Sequence, residues 1–357
     1  MLERILIVGH GSIGRRHLGV VRQCLPKAKI LVMRHEPTST VPEWADAVCS
    51  SIQEALLFGP QAAVIANPAP FHCPVATELL NAGCHVLIEK PLADSVMDAT
   101  ALLGEARASG LVCQVGYNLR FMPSLQEFRR LVIEGRVGRV LSVRSEIGQY
   151  LPSWRLGVDY RHGVSAQKAM GGGVLLELSH EIDYLRWIFG EVSWVSAWLG
   201  RLGDLEIDVE DFAQMTLGFA GQARHGMGHA GDESAPNESA PNESAPVGSL
   251  SMDFLRHDTT RCCTVIGSEG SLRWDGVAGV VDFFSAKDSQ WLRVLEQRPQ
   301  PNESYLLQWQ NFVDCINTNT SPLVGASDGV AVLKIIEAAR HSAAHSCQRE
   351  SLIKAHA

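Results

Sequence analysis

Two groups of side chains in this sequence have the types and spacing that proton and hydride chemistry needs. The first is Lys90, within Glu89-Lys90-Pro91, directly after the apolar run His85 to Ile88. An ammonium at the carboxyl edge of a strand can stabilise a developing alkoxide, or give it a proton, while hydride moves. Taken alone, one lysine after a strand is equally a solvated charge. The second group is Glu177, His180 and Asp183, which follow Gly171-Gly172-Gly173 at spacing i, i+3, i+6. At roughly 100° per residue, each is offset by about 60° from the next, so the three span about 120° of one helical face. An imidazole flanked by carboxylates suits a proton relay to a substrate hydroxyl, with Glu177 or Asp183 orienting His180. The same residues also suit a plain capped helix start.

Hydride chemistry requires an acceptor, and the N-terminal stretch has the pattern for one. Ile5 to Val8 reads as a buried strand that runs into Gly9-His10-Gly11-Ser12-Ile13-Gly14, and Arg15 to Cys24 reads as a helix. The glycines allow a tight turn, backbone contact with a pyrophosphate, and close helix–strand packing. The helix N-terminus offers free N–H groups to the phosphates. Gly9, Gly11, Ser12, Ile13 and Gly14 are therefore expected to bind a dinucleotide. The second strand, Ala28 to Met33, ends at Arg34 and His35, where an acid would otherwise hold the ribose diol; Glu36 lies behind them. A guanidinium suits a 2′-phosphate, which favours NADP over NAD. The alternative leaves Arg34 solvated and gives Glu36 the acid's work. Asn67, Pro68 and His72, within Asn67-Pro68-Ala69-Pro70-Phe71-His72, follow the fourth strand, where an open α/β sheet places its ligands. They join Glu89 and Lys90 as expected cofactor contacts.

These residues need a scaffold, and the alternation of elements suggests one. Strands at 47–49, 62–66, 85–88 and 111–115 are separated by helices opening at Ser51-x-x-Glu54, ending near Gly83, and spanning Ser95 to Ala108. This is the signature of a doubly wound parallel sheet, an α/β Rossmann domain over residues 1–120. Beyond it, a helix from Pro123 to Glu134 leads to strands at 140–146, 212–219, 249–256 and 264–266 without intervening helices. Residues 121–357 therefore read as a substrate and oligomerisation domain with a large, mostly antiparallel sheet and helices. Gly171 to Phe189 reads as its central helix and Asp328 to Cys347 as a C-terminal helix for packing, within the chain or against another subunit. Residues 220–248 carry Glu-Ser-Ala-Pro three times at a five-residue period, which predicts a disordered insertion between paired strands.

Composition narrows the function classes. A chain of 357 residues, 46% hydrophobic and 20% charged, reads as two ordinary globular domains. A net charge of −8 argues against a nucleic-acid partner. No apolar run approaches a membrane span, and the N-terminus does not read as a signal peptide. Nine cysteines are scattered without Cys-x-x-Cys spacing, which predicts reduced thiols in a cytoplasm. His72-Cys73 and Cys84-His85 are contiguous pairs whose side chains point apart, so no metal is expected.

In order along the chain, Gly9-His10-Gly11-Ser12-Ile13-Gly14, Glu89-Lys90-Pro91, Gly116-Tyr117-Asn118-Leu119-Arg120-Phe121, the Gly171-Gly172-Gly173 segment with His180 and Asp183, and Gly267-Ser268-Glu269-Gly270-Ser271-Leu272 resemble the glucose–fructose oxidoreductase/inositol dehydrogenase (Gfo/Idh/MocA) family. The resemblance implies NAD(P)-dependent sugar chemistry, with Lys90 as catalytic lysine and His180 as general base or acid. It also implies that Asn118 and Arg120 line the cofactor–substrate cleft. Subunits would pair through the open face of the second sheet, as a homodimer or homotetramer. Where the family commonly has an aspartate four residues before the histidine, this chain has Leu176, and Glu177 is the nearest acid.

Tyr150, Trp154, Arg155, Tyr160, Arg161 and Lys168 form an aromatic and cationic segment before the catalytic helix. Aromatic faces stack on sugar rings and arginines clamp anions, so these residues, with Arg120 and Asp183, are the expected substrate contacts. The segment resembles a subgroup acting on nucleotide-sugar and sialic-acid-like substrates, which points to an anionic sugar; the alternative is a lid that merely packs on the sheet. The expectation is an oxidoreductase interconverting a sugar hydroxyl and ketone. Its rivals are a reductase of a non-sugar carbonyl or imine, and a dinucleotide-sensing regulatory protein without chemistry.

Overall fold

The computed structural model describes residues 2–36, 40–155, 157–220 and 245–352. The first half alternates β1 (Arg4–Val8), α1 (Ser12–Cys24), β2 (Lys29–Met33), β3 (Ala47–Cys49), α2 (Ile52–Phe58), β4 (Ala62–Ile65), α3 (His72–Asn81), β5 (His85–Ile88), α4 (Val96–Ser109) and β6 (Cys113–Val115). The strands form one parallel sheet in the order β3-β2-β1-β4-β5-β6. Residues buried on both faces, such as Ile5, Leu6 and Ile7, explain why these strands are continuously apolar. Strand order reverses between β1 and β4, which opens a crevice at their carboxyl ends. Gly9, Asn67 and, one strand further on, Lys90 all sit at that edge. The expected cap of α2 forms, with Ser51 Oγ accepting from Glu54 N–H at 3.2 Å. The Glu54 carboxylate bonds Ser50 N–H rather than returning to Ser51.

The second half comprises α5 (Pro123–Ile133), β7 (Val140–Gly148), α6 (Val174–Glu177), α7 (His180–Phe189), β8 (Val192–Gly200), β9 (Phe212–Phe219), β10 (Val247–Asp253), β11 (Thr260–Gly267), β12 (Gly270–Asp275), β13 (Val280–Ser285), β14 (Gln290–Glu296), α8 (Glu303–Thr318), α9 (Ala326–Ala344) and β15 (Glu350–Ser351). Its sheet runs β14-β13-β12-β11-β7-β10-β9-β8-β15, antiparallel except for β7 beside β10. The protein thus joins a Rossmann-type parallel sheet to a mostly antiparallel sheet with helices.

Several local features differ from the sequence reading. The helix expected over Gly171–Phe189 is broken: α6 stops at Glu177 and α7 starts at His180. The last long helix spans 326–344 rather than 328–347. Asp328 lies inside its first turn, bonded through its carboxylate to Gly325 N–H, and His345 leaves helical geometry. Helix α8 had no counterpart in the sequence reading. It folds back onto the parallel sheet, burying Trp309, Phe312 and Cys315 with Ile5, Ile7, Val64 and Leu87, so the expected boundary at residue 120 divides the sheets but not the packing. Nearly all of the Glu-Ser-Ala-Pro insertion lies outside the described residues; β9 and β10, which flank it, are antiparallel neighbours. No helix among the described residues is long and apolar enough to cross a membrane.

Candidate active site

The glycine turn is shaped as an anion cradle. Gly9 has φ +88°, and a Cβ there would lie 2.8 Å from the Ala66 carbonyl oxygen, so only glycine brings β1 this close to the end of β4. A Cβ on Gly14 would sit 2.2 Å from Gly9 O. Gly11 is different, because a Cβ there would meet nothing within 4 Å. That open space faces the start of α1, whose N-cap has no side-chain hydrogen bond and whose first turn holds no acid. The first N–H groups, from Ser12 and Ile13 onward, are left for an external acceptor. Arg34 is half-buried just past β2, and His35 and Glu36 are exposed. Burial first, then the charges of Arg34 and Arg15, hold the His10 imidazole below its usual value, which places these cations together beside the turn.

Lys90 lies across the crevice. Its Nζ donates to the Glu177 carbonyl oxygen at 2.8 Å and lies 3.8 Å from Glu177 Oε1. The break after α6 makes this possible, since a carbonyl at a helix end has no partner within the helix. Glu177 Oε2 accepts from Ser165 Oγ at 2.9 Å. Ser165 reaches it because residues 164–167 cross directly over Gly172, where a Cβ would come within 2.4 Å of Val164 O. His180 begins α7, half-buried and edge-on to the buried Tyr117 ring at 5.6 Å. Burial, then the charges of Lys90 and Arg261, push its imidazole well below the ordinary 6.5. A ring so perturbed is neutral near pH 7, which leaves one ring nitrogen with a free lone pair. Its buried Nδ1 has no hydrogen-bond partner among the described residues. With the open space at Gly11, that orphaned nitrogen fits a site that receives a dinucleotide and a hydroxyl.

The structure brings Lys90, Glu177 and His180 together but turns several other expected site residues inward. His72 is buried with Nδ1 2.9 Å from Pro91 O and Nε2 2.7 Å from Asn67 O, so it clamps the ends of β4 and β5 instead of facing the crevice. Asn67 is half-buried, with Nδ2 bonding Phe71 O, and Pro68 caps the short turn at Ala69–Phe71. Glu89 is buried, with Oε1 2.6 Å from His17 Nε2 and Oε2 accepting from Lys90 N–H. Burial alone would raise its carboxyl, but the hydrogen bond and charge of His17, and the Lys90 charge, outweigh that and lower it. Asn118 is buried and donates to Ser304 Oγ at 2.8 Å, tying the loop after β6 to α8.

Arg120 and Asp183, expected at the substrate, are buried and paired with each other. The Arg120 guanidinium holds Asp183 through two bonds of 2.9 and 2.6 Å, and also bonds Asp328 and Leu323 O. Both are buried, and an unpaired charge there would be costly, so they satisfy each other. Asp183 therefore does not orient His180. In the aromatic segment, Tyr150 stacks on His257 at 4.2 Å, and Trp154 meets Phe254 edge-on while donating to Gln149 O. Tyr160 Oη accepts from Glu206 N–H, and Arg161 pairs with Asp159 and Glu206. Arg155 and Lys168 are the exposed cations of this segment whose charged ends have no ion-pair partner among the described residues.

Sequence reasoning missed His17, Tyr117, Ser165 and Arg261. His17 lies on the apolar face of α1 beside Leu18 and Val21, and that placement was a usable signal. Arg261 lies on β11, its Nε bonded to buried Glu181 Oε1 at 2.9 Å, and nothing in its local sequence marks it.

Comparison with known proteins agrees with this architecture. Residues 3–117 match the oxidoreductase family with an NAD-binding Rossmann fold, and residues 125–273 match the GFO/IDH/MocA C-terminal domain. The scyllo-inositol 2-dehydrogenase (NAD(+)) of Bacillus subtilis is 23% identical over 353 residues, covering 95% of this chain and 93% of that protein. Levoglucosan dehydrogenase, solved in complex with NADH and levoglucosan, shares the fold with a TM-score of 0.81 at 20% identity, over 98% of this chain and 99% of that one. The WlbA dehydrogenase from Bordetella pertussis, in complex with NADH and UDP-GlcNAcA, does so with a TM-score of 0.77 at 22% identity, over 99% and 100%. Matched in both sheets and in chain order, the protein belongs to the GFO/IDH/MocA family of oxidoreductases.

Proposed function

We propose that this oxidoreductase interconverts a hydroxyl and a ketone on an anionic sugar derivative, with NADP preferred over NAD. The observation that carries the reading is the meeting of Lys90 Nζ with the Glu177 carbonyl beside a neutral His180, at the edge where the glycine turn opens. The nicotinamide, when bound, accepts or returns a hydride at its C4. In the oxidation direction, His180 takes the hydroxyl proton on its imidazole. Lys90 donates a hydrogen bond to the oxygen as negative charge develops there. Glu177 holds Lys90 through its backbone oxygen, and Ser165 fixes the Glu177 carboxylate. Ser12, Ile13 and the open face of Gly11 receive the pyrophosphate.

The substrate class rests on the relatives and on the charge of the aromatic segment. The named relatives include a dehydrogenase of a cyclic polyol and structures holding levoglucosan or UDP-GlcNAcA. Within the aromatic segment, Arg155 and Lys168, which have no ion-pair partner among the described residues, would meet a carboxylate or phosphate. The NADP preference is supported by Arg34 with Arg15 and His10 beside it. A cytoplasmic location is supported by nine free cysteines. Self-association through the open face of the large sheet is supported by Trp198 and Trp291, both exposed large aromatics on its strands.

The test is a titration with NADPH and NADH, followed by a panel of neutral, carboxylated and nucleotide-linked sugars, on the parent and on Lys90→Met. The variant should keep its cofactor affinity and lose turnover; persistent turnover refutes the role given to Lys90. Equal efficiency on neutral and anionic sugars refutes the anionic preference. Cofactor binding without turnover on any sugar moves the assignment to a non-sugar carbonyl or to a sensor.

A further inference from the structure

At the C-terminal end of the described chain, His341 and His345 lie one turn apart at the end of α9, and Glu350 opens β15. One imidazole nitrogen from each histidine and one Glu350 carboxylate oxygen all lie within 4.8 Å of one another. The rings stack with centroids 4.0 Å apart, tilted by 31°. His345 Nδ1 is 2.8 Å from the His341 carbonyl oxygen, a contact that requires the proton on Nδ1 and leaves the lone pair on Nε2. His341 Nδ1 is 2.8 Å from Glu350 Oε1, so the carboxylate is already drawn against the pair.

From this geometry we infer a binding site for a divalent transition ion of the zinc type, held by His341, His345 and Glu350. Neutral imidazole and carboxylate are the donors such ions select. Bond lengths of about 2.0–2.2 Å in a tetrahedron put ligand atoms about 3.3–3.6 Å apart, so closure needs only small rotations of the two exposed histidines and the half-buried Glu350. Water completes the shell. The sequence reading expected no metal because the cysteines lack ligand spacing and the contiguous His72-Cys73 and Cys84-His85 pairs point apart; here the third ligand comes from another element.

The ion would staple the end of the chain. β15 is only two residues long and pairs with Val195 and Trp194 at the edge of the large sheet. The chain reaches it through Ser346 and Cys347, both at positive φ. Ser196 Oγ bonds Cys347 O, and Ser342 Oγ bonds Gln348 O, which pins the same hook. A metal bridging α9 to Glu350 closes that hook from the outside.

The experiment uses full-length protein without a histidine tag, freed of metal with a chelator and titrated with zinc chloride in a calorimeter. One site is expected, with a melting temperature that rises as zinc is added, because the ion binds the folded state. His345→Ala, at an exposed helix end, should weaken binding tenfold or more, and Glu350→Gln by about tenfold. Circular dichroism checks that both variants fold. A parallel cobalt titration distinguishes cysteine ligation, since thiolate gives an intense near-ultraviolet charge-transfer band and nitrogen and oxygen ligands do not. No zinc uptake, uptake unchanged in His345→Ala, or a thiolate band at the bound site overturns the assignment.

Discussion

Gly11 and Gly14 give the sharpest test of the cofactor cradle, because the same substitution should act on different properties at positions three residues apart. At Gly11 the backbone is extended, φ −71° and ψ −167°, and an added Cβ meets nothing within 4 Å. Gly11→Ala should therefore cost the free protein no more than about 1 kcal/mol, the usual difference between glycine and alanine at an N-cap. That corresponds to a melting shift of about 3 °C at most for a chain this long. The added methyl would occupy the space where the pyrophosphate must approach. Losing one charge-assisted hydrogen bond costs about 1.5–3 kcal/mol, which weakens the cofactor roughly 10- to 100-fold. At Gly14 the Cβ would lie 2.2 Å from Gly9 O. Relief needs a backbone shift of about 1 Å, and overpacking of this kind costs about 3 kcal/mol. Fluorescence titration with NADPH and NADH, beside thermal melts of both variants, reads the two effects separately. Parental cofactor affinity in Gly11→Ala, or a melting loss there equal to that of Gly14→Ala, would refute the cradle.

Two further outcomes follow from the site. His180 is held below 6.5 in the folded protein, so its neutral, proton-accepting form persists as pH falls past that value. The acid limb of kcat/KM for alcohol oxidation should lie below pH 6.5. Replacing Arg261 and its buried partner Glu181 together by glutamine removes one of the cations that lower His180, and should move the limb up; a parental limb at or above pH 6.5 contradicts the proposed base. Arg34→Gln should weaken NADPH roughly 10- to 100-fold, by loss of a charged hydrogen bond, and NADH much less. Equal loss for both cofactors, or a parent that prefers NADH, would return the ribose contact to Glu36.

The parts of this protein legible in its sequence are those governed by local rules. The apolar run into Gly9-His10-Gly11-Ser12-Ile13-Gly14 specifies a strand, a turn and an uncapped helix, because each step depends on neighbours in the chain. The alternation through residue 115 specifies a parallel sheet, and Lys90 falls at its carboxyl edge for the same reason. Tertiary structure decided which polar residues are available. Helical periodicity placed Glu177, His180 and Asp183 on one face, but the chain breaks after Glu177, and that break supplies the carbonyl that holds Lys90. Arg120 looked like a substrate clamp and is instead neutralised by Asp183 and Asp328, the latter far along the chain. His72 and Glu89, expected at the cofactor, are buried and bond Pro91 O, Asn67 O and His17 within the chain. Residue type states what a side chain can bond. Desolvation obliges every buried charge and donor to find a partner, and only the packed fold determines which partner is within reach.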